Sequence, residues 1–204
     1  MTDSEKHLHI VSFDIPFPAN YGGVIDVFYR IKYLSECGLK IHLHCYEYSR
    51  NHCHPKELEN LCFSVDYYDR VEGPAKMLSP GPYIVNTRRS TRLVDNLSKD
   101  TYPIFIEGLH CCTLLNEPRL KDRQMYVRMH NVEHDYYQGL SKVETSWLKR
   151  IYLNMEVPRL RRFEAVLLKA SGIFAITQKD MEYFSEKYSN VYLLPPSLPY
   201  SHVN

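Results

Sequence analysis

The sequence predicts an α/β domain built on one parallel sheet with helices on both faces. Three observations lead there. Short apolar runs alternate with stretches of helical periodicity from end to end. A glycine pair, Gly22-Gly23, stands where the first strand hands over to the first helix. The chain of 204 residues is long enough to bury one sizeable core. Strands that alternate with helices pair in parallel, because each crossover carries the chain back over a sheet face.

Each element has its own signal. Leu8 to Phe13 reads as an apolar strand. Val24, Val27, Phe28, Ile31 and Leu34 recur at helical spacing, and Gly38 closes that helix. Ile41 to Tyr46 is the next strand, Pro55 to Leu61 a short helix and Ser64 to Tyr68 a third strand. Gly73-Pro74 and Pro80-Gly81-Pro82 punctuate a longer connection, and Tyr83 to Leu97 reads as largely helical. Ile104 to Ile106 and Met125 to Met129 are strands. Val132 to Leu140 and Thr145 to Lys169 are helical, with Pro158 starting or kinking a segment. Ile173 to Ile176 is a strand, Lys179 to Tyr188 a helix, and Val191 to Leu194 a last strand stopped by Pro195-Pro196.

Bulk properties exclude several function classes. Hydrophobic and charged residues make up 44% and 24% of the chain, the balance of an ordinary soluble protein. A net charge of +1 gives no case for a nucleic-acid partner. The polar start Met1 to Lys6 lacks the apolar core of a secretory signal, and no apolar run reaches the length of a membrane span. A cytoplasmic location follows by default, with the six cysteines reduced rather than bridged. The seventeen tyrosines read as half-buried edges, a minority of them free to stack on sugar faces.

In a parallel α/β sheet, ligands sit beyond the carboxyl ends of the strands. That rule selects Asp14 to Gly23, Glu47-Tyr48, Glu107 to His110, His130 to Glu133, and Thr177. Gly22 and Gly23 lack a Cβ at a helix start, where unpaired N–H groups suit a phosphate or sugar hydroxyls; a plain tight turn is the other reading. Arg128 to Tyr137 is the densest polar stretch. His130 there can hydrogen-bond a substrate hydroxyl, and Asn131 can cap the next helix. Glu107 ends a wholly apolar strand and can accept a sugar hydroxyl, orient His130, or face water.

Three further clusters carry weaker signals. Arg88, Arg89 and Arg92 read either as a phosphate site or as a solvated helix face. His42, His44, Cys45, His52, Cys53 and His54 suggest zinc, and hence a metal-assisted hydrolase, but lack regular pair spacing, so no metal is expected. Lys149, Arg150, Arg159, Arg161 and Arg162 decorate a helix that either rests on an anionic membrane surface or simply solvates a basic face.

The order of several motifs adds a resemblance. Pro16-x-Pro18 leads to Gly22-Gly23, and Glu36 to Lys40 closes a helix before a strand. Phe105-Ile106-Glu107-Gly108 and Arg128-x-His130-Asn131-x-Glu133 follow, then Arg162-Phe163-Glu164 and Ala170 to Thr177 with Asp180. The run ends in Val191 to Pro196. Over nearly the whole chain this resembles the N-terminal half of a retaining, family-4-type glycosyltransferase of the GT-B fold. The resemblance implies a Rossmann-like, acceptor-side domain over 1–195, with 196–204 beginning a linker and a C-terminal nucleotide-sugar domain absent. It implies transfer of a sugar from a nucleoside-diphosphate donor to a carbohydrate or lipid-linked acceptor hydroxyl, without a cofactor, and no activity for this half alone. It makes His130 the active-site histidine and places Gly22, Gly23, Glu107, Arg128, Asn131 and Glu133 around substrate. Thr177 stands where the family often has serine. The alternative is a non-catalytic, flavodoxin-like nucleotide- or ligand-binding module, since fold does not fix function.

Overall fold

The computed structural model describes residues 5–47 and 54–199. Seven strands form one sheet, every neighbouring pair parallel. They are β1 (His7–Ser12), β2 (Lys40–Glu47), β3 (Ser64–Asp69), β4 (Ile104–Glu107), β5 (Met125–Met129), β6 (Gly172–Ala175) and β7 (Val191–Leu193). The helices are α1 (Gly22–Glu36), α2 (Lys56–Leu61), α3 (Pro74–Leu78), α4 (Tyr83–Asn86), α5 (Thr91–Leu97), α6 (Glu133–Val143), α7 (Trp147–Phe163) and α8 (Gln178–Ser185). Segments Leu109–Asn116, Pro118–Leu120 and Glu164–Lys169 are 3₁₀.

The sheet order is β3-β2-β1-β4-β5-β6-β7. Strands are added outward on one side and then, from β4, on the other, so the order reverses between β1 and β4. This is the Rossmann arrangement, and the crevice at the reversal is where such folds take ligands. The flavodoxin order sets β3 beside β1, whereas here β3 lies outside β2, so the strand order is not flavodoxin-like.

Side-chain alternation builds two cores. Ile10, Ile41 and Leu43 point to the face covered by Val27 and Ile31 of α1 and Leu58 of α2. Val11, Ile104, Ile106, Val127, Met129 and Ile173 point to the opposite face, under Leu93 and Leu97 of α5, Leu160 of α7 and Phe184 of α8. Local sequence signals end the elements. Gly38 sits at φ +85° after α1, Ser90 Oγ accepts from Leu93 N at 3.2 Å at the start of α5, and Thr177 Oγ1 accepts from Asp180 N at 3.1 Å at the start of α8.

Three expectations need correction. The stretch 83–97 is not one helix: it breaks at 87–90, where buried Arg88 turns inward and donates to Phe13 O and Ile84 O, both at 2.9 Å. Arg92 instead reaches Tyr67 O at 3.2 Å, so the three arginines do not act as one cluster. The helix expected over 145–169 ends at Phe163 and continues as 3₁₀, with Pro158 inside it.

The histidines of β1 and β2 form a ladder rather than a metal site. His7 and His42 are hydrogen-bonded at 2.9 Å, as are His9 and His44. Asp100, Ser64 Oγ and Tyr68 OH take the outer ring nitrogens of His9, His42 and His44. Among the described residues no group of metal-ligating side chains is arranged to hold an ion; His52 and Cys53 lie outside them. No described helix is long and apolar enough to cross a membrane.

Candidate functional site

The site begins where β1 ends. Asp14 ties the following loop together: its carboxylate accepts from Ile15 N at 2.8 Å and from Tyr21 OH at 2.7 Å. The loop delivers the chain to Gly22 and Gly23, the first two residues of α1. The helix start carries no acidic residue in its first turn, and Tyr21 supplies no side-chain cap. A Cβ at Gly22 would meet open space, whereas one at Gly23 would lie 3.2 Å from Phe13 Cζ.

Phe13 joins this loop to the next two strands. Its ring stacks on His110 at 5.1 Å and meets His130 edge-on at 5.3 Å. Gly108, directly after β4, has φ +75°, and a Cβ there would sit 2.8 Å from His110 Nδ1. Only glycine suits that turn, because the left-handed backbone and the imidazole both exclude a side chain. The glycine pair, His110 and His130 therefore share one mouth of the sheet.

Beneath the mouth lies a buried ionic network. Glu107 accepts from Arg30 with one carboxylate oxygen, and its Oε2 lies 2.9 Å from His130 Nε2. Arg30 also pairs with Asp26, one turn earlier on α1. Asp26 in turn accepts from Arg128 Nε at 2.8 Å. All four charged residues are buried. Two carboxylates and two guanidiniums balance, as buried charge requires. Burial opposes ionisation of Glu107, but Arg30 and the bond from His130 outweigh it and hold the carboxyl below its usual range. An ionised Glu107 can only accept, so His130 carries a proton on Nε2 and turns Nδ1 toward other partners.

The network also clamps the segment after β7. Arg128 Nη1 donates to Leu194 O at 2.7 Å and Nη2 to Pro195 O at 3.1 Å, while Asp26 Oδ1 accepts from Ser197 N at 2.6 Å. The structure thus commits all three guanidinium nitrogens of Arg128 to the chain itself.

The remaining expected residues divide. Asn131 is exposed and does not cap α6; Val132 holds the cap position, without a side-chain bond, because the helix starts one residue later than expected. Asn131 borders a cleft of ≈ 200 Å³ with Tyr136, Lys179 and Tyr183. Glu133 points inward and is buried, and burial pushes its carboxyl up to about 7 against the opposing charge of Arg88. Arg88 also borders a larger cleft of ≈ 340 Å³, lined in part by Tyr46, Arg89, Ser90, Thr113 and Phe163.

Sequence reasoning missed Asp26 and Arg30. Their signal was available as an acidic and a basic residue spaced i,i+4 beside the apolar stripe of a helix that begins at the glycine pair. It also left Phe13 and His110 without roles, and nothing short of the tertiary fold brings those rings together.

Comparison with other proteins agrees with this architecture. No family model matches the chain. An uncharacterized 44.6 kDa protein from the cps region of Klebsiella pneumoniae is 27% identical over 198 residues, 95% of this chain and 50% of that protein. Among solved structures, sucrose-phosphate synthase from Thermosynechococcus elongatus superposes with a TM-score of 0.58 at 15% identity, over 94% of this chain and 48% of that one. Phytolacca americana UGT2, complexed with UDP-2-fluoroglucose and pterostilbene, gives 0.55 at 14%, over 96% and 55%. Both are glycosyltransferases of the GT-B fold, and this chain has the fold of one Rossmann-like half of that architecture. The chain spans about half the length of the proteins it matches.

Proposed function

We propose that this chain is the acceptor-side half of a retaining, family-4-type glycosyltransferase, taking part in transfer of a sugar from a nucleoside diphosphate to an acceptor hydroxyl. The observation that carries the reading is the His130–Glu107 pair at the same mouth as Gly22-Gly23, at the reversal point of a GT-B-type sheet.

The reaction breaks the bond from the anomeric carbon to the diphosphate and forms one to the acceptor oxygen, whose hydroxyl proton passes to the released diphosphate. Negative charge grows on the leaving diphosphate and positive charge on the sugar ring. N–H groups at the open start of α1 answer the first need, and glycine lets phosphate oxygens approach them closely. His130 hydrogen-bonds the transferred sugar, its ring held by Glu107. Arg30, Asp26 and Arg128 act as positioning residues behind Glu107. Asn131, exposed at the rim, contacts the acceptor side, and Glu133 buttresses the start of α6. No cofactor is assigned. The acceptor is a carbohydrate or a lipid-linked sugar.

Calorimetric titration of the chain with UDP- and GDP-sugars, and with sugar acceptors, tests this reading. Wild-type protein is expected to bind members of one of these classes, and His130→Ala to weaken that binding about tenfold, the worth of one good hydrogen bond to a charge-linked partner. Equal binding by wild type and variant would move the site elsewhere.

A further inference from the structure

α7 is apolar on two opposite sides. Its inward side places Leu160 and the half-buried Phe163 against the core. Its outward side carries Trp147, Leu148, Ile151 and Met155, which are 67%, 61%, 50% and 54% exposed. Their spacing sets them in one stripe. Arg159 Nη1 donates to Met77 O at 2.9 Å and ties α3 to α7, and the next residue, Leu78, is 85% exposed. An apolar helix face is ordinarily covered. The described residues of this domain leave the outer stripe uncovered.

The charge around the stripe is one-signed. Arg150, Arg161 and Arg162 are exposed on α7 on or beside that side, whereas Lys149, seven residues before buried Glu156, lies on the inward side. The helix has a single carboxylate, Glu156, which is buried and accepts from Tyr83 N at 2.6 Å and Arg159 at 2.9 Å. The whole chain carries a net charge of only +1, so this surface is a local concentration of positive charge.

We infer that this stripe docks on the surface of an anionic lipid bilayer. Trp147, Leu148, Ile151 and Met155 would enter the boundary between headgroups and acyl chains, with Arg150, Arg161 and Arg162 against lipid phosphates. Tryptophan is suited to that depth. A second copy of the chain fits less well, since a two-fold contact sets the patch against itself and brings like charges together. α6 runs eleven residues, about 16 Å, from the sheet mouth to the connection before Trp147, so docking would hold the mouth at a fixed height above the membrane. The inference stands whether or not the chain takes part in sugar transfer.

Trp147 is the single tryptophan of the chain, so its fluorescence reports directly on the stripe. The chain is sedimented with vesicles of phosphatidylcholine alone and of phosphatidylcholine mixed with phosphatidylglycerol, at low and raised salt. Co-sedimentation with the anionic vesicles only, a blue shift of Trp147 and reversal by salt are expected. An Arg150→Glu/Arg162→Glu variant should bind at least about tenfold more weakly, and Ile151→Asp should lose the blue shift. All three positions are exposed, and circular dichroism checks that the variants fold. No binding to anionic vesicles, or undiminished binding by the variants, would overturn the inference. So would a vesicle-independent blue shift that grows with protein concentration, which would assign the stripe to self-association.

Discussion

His130 Nε2 lies 2.9 Å from Glu107 Oε2, and the other oxygen of that carboxylate belongs to Arg30. One buried acid therefore does two things: it neutralises a guanidinium and sets which imidazole nitrogen carries the proton. Glu107→Gln keeps the shape and removes the charge. We expect the folded protein to lose about 3 kcal/mol, because Arg30 is left with Asp26 alone. The His130 ring should change from a single Nε2–H tautomer to a mixture. Denaturant titration and nitrogen shifts of the imidazole check the two parts separately.

Asp26 is the hinge between the network and the segment after β7. Asp26→Asn weakens its pairing with Arg30 and Arg128, and the acceptor of Ser197 N loses its charge. A loss of about 3–5 kcal/mol is expected for breaking a buried pair. Native-state hydrogen exchange should show the Ser197 amide losing protection more than amides of β1 do. Equal loss at both would mean that the clamp is not local.

The glycines separate shape from function. Gly108→Ala forces a side chain into φ +75° and against His110, and should cost about 1–2 kcal/mol. Gly22→Ala meets nothing and replaces a poor helix former, so thermal stability should hold or rise by up to about 1 kcal/mol. If phosphate oxygens approach the start of α1, the same change should nevertheless weaken nucleotide-sugar binding. Unchanged binding would mean that the glycine serves the turn alone.

Stability should depend on pH from two sides. Burial, reinforced by His9 and His42, pulls the His44 imidazole down to about 3. Between about 6.5 and 3 the unfolded chain then binds the extra proton, so this contribution is present above pH 6.5 and is lost as pH falls. Glu133 works the other way. Its folded pKa of about 7 lies above the ordinary 4.5, so its protonated form favours folding below pH 4.5 and that advantage is lost as pH rises through 7. Chemical denaturation across pH should show Glu133→Gln gaining on the order of 2–3 kcal/mol over wild type at alkaline pH and little in acid. A parallel offset at every pH would contradict it.

Much of the fold was legible because it is local. The alternation of Leu8 to Phe13, the 24–34 stripe and their successors is written in the period of the apolar residues, and Gly38 and Pro195-Pro196 mark real ends. The break at 87–90 was not legible, because Arg88 leaves the helix to reach Phe13 O, a partner seventy-five positions away. The site divided in the same way. Gly22, Gly23, Glu107 and His130 follow from strand ends. Asp26 and Arg30 left only the local i,i+4 signal; their pairing with Arg128 and Glu107, and the commitment of Arg128 to Leu194 and Pro195, join residues far apart in the chain, which no spacing encodes.

The most direct measurement maps ligand contact onto the mouth itself. Amide and imidazole resonances of the labelled chain are followed while UDP- and GDP-sugars, and then sugar acceptors, are added. Perturbations centred on Gly22, Gly23, His110 and His130 are expected. Perturbations at the opposite rim, around His7 and His42, with the mouth unmoved, would contradict this placement of the site.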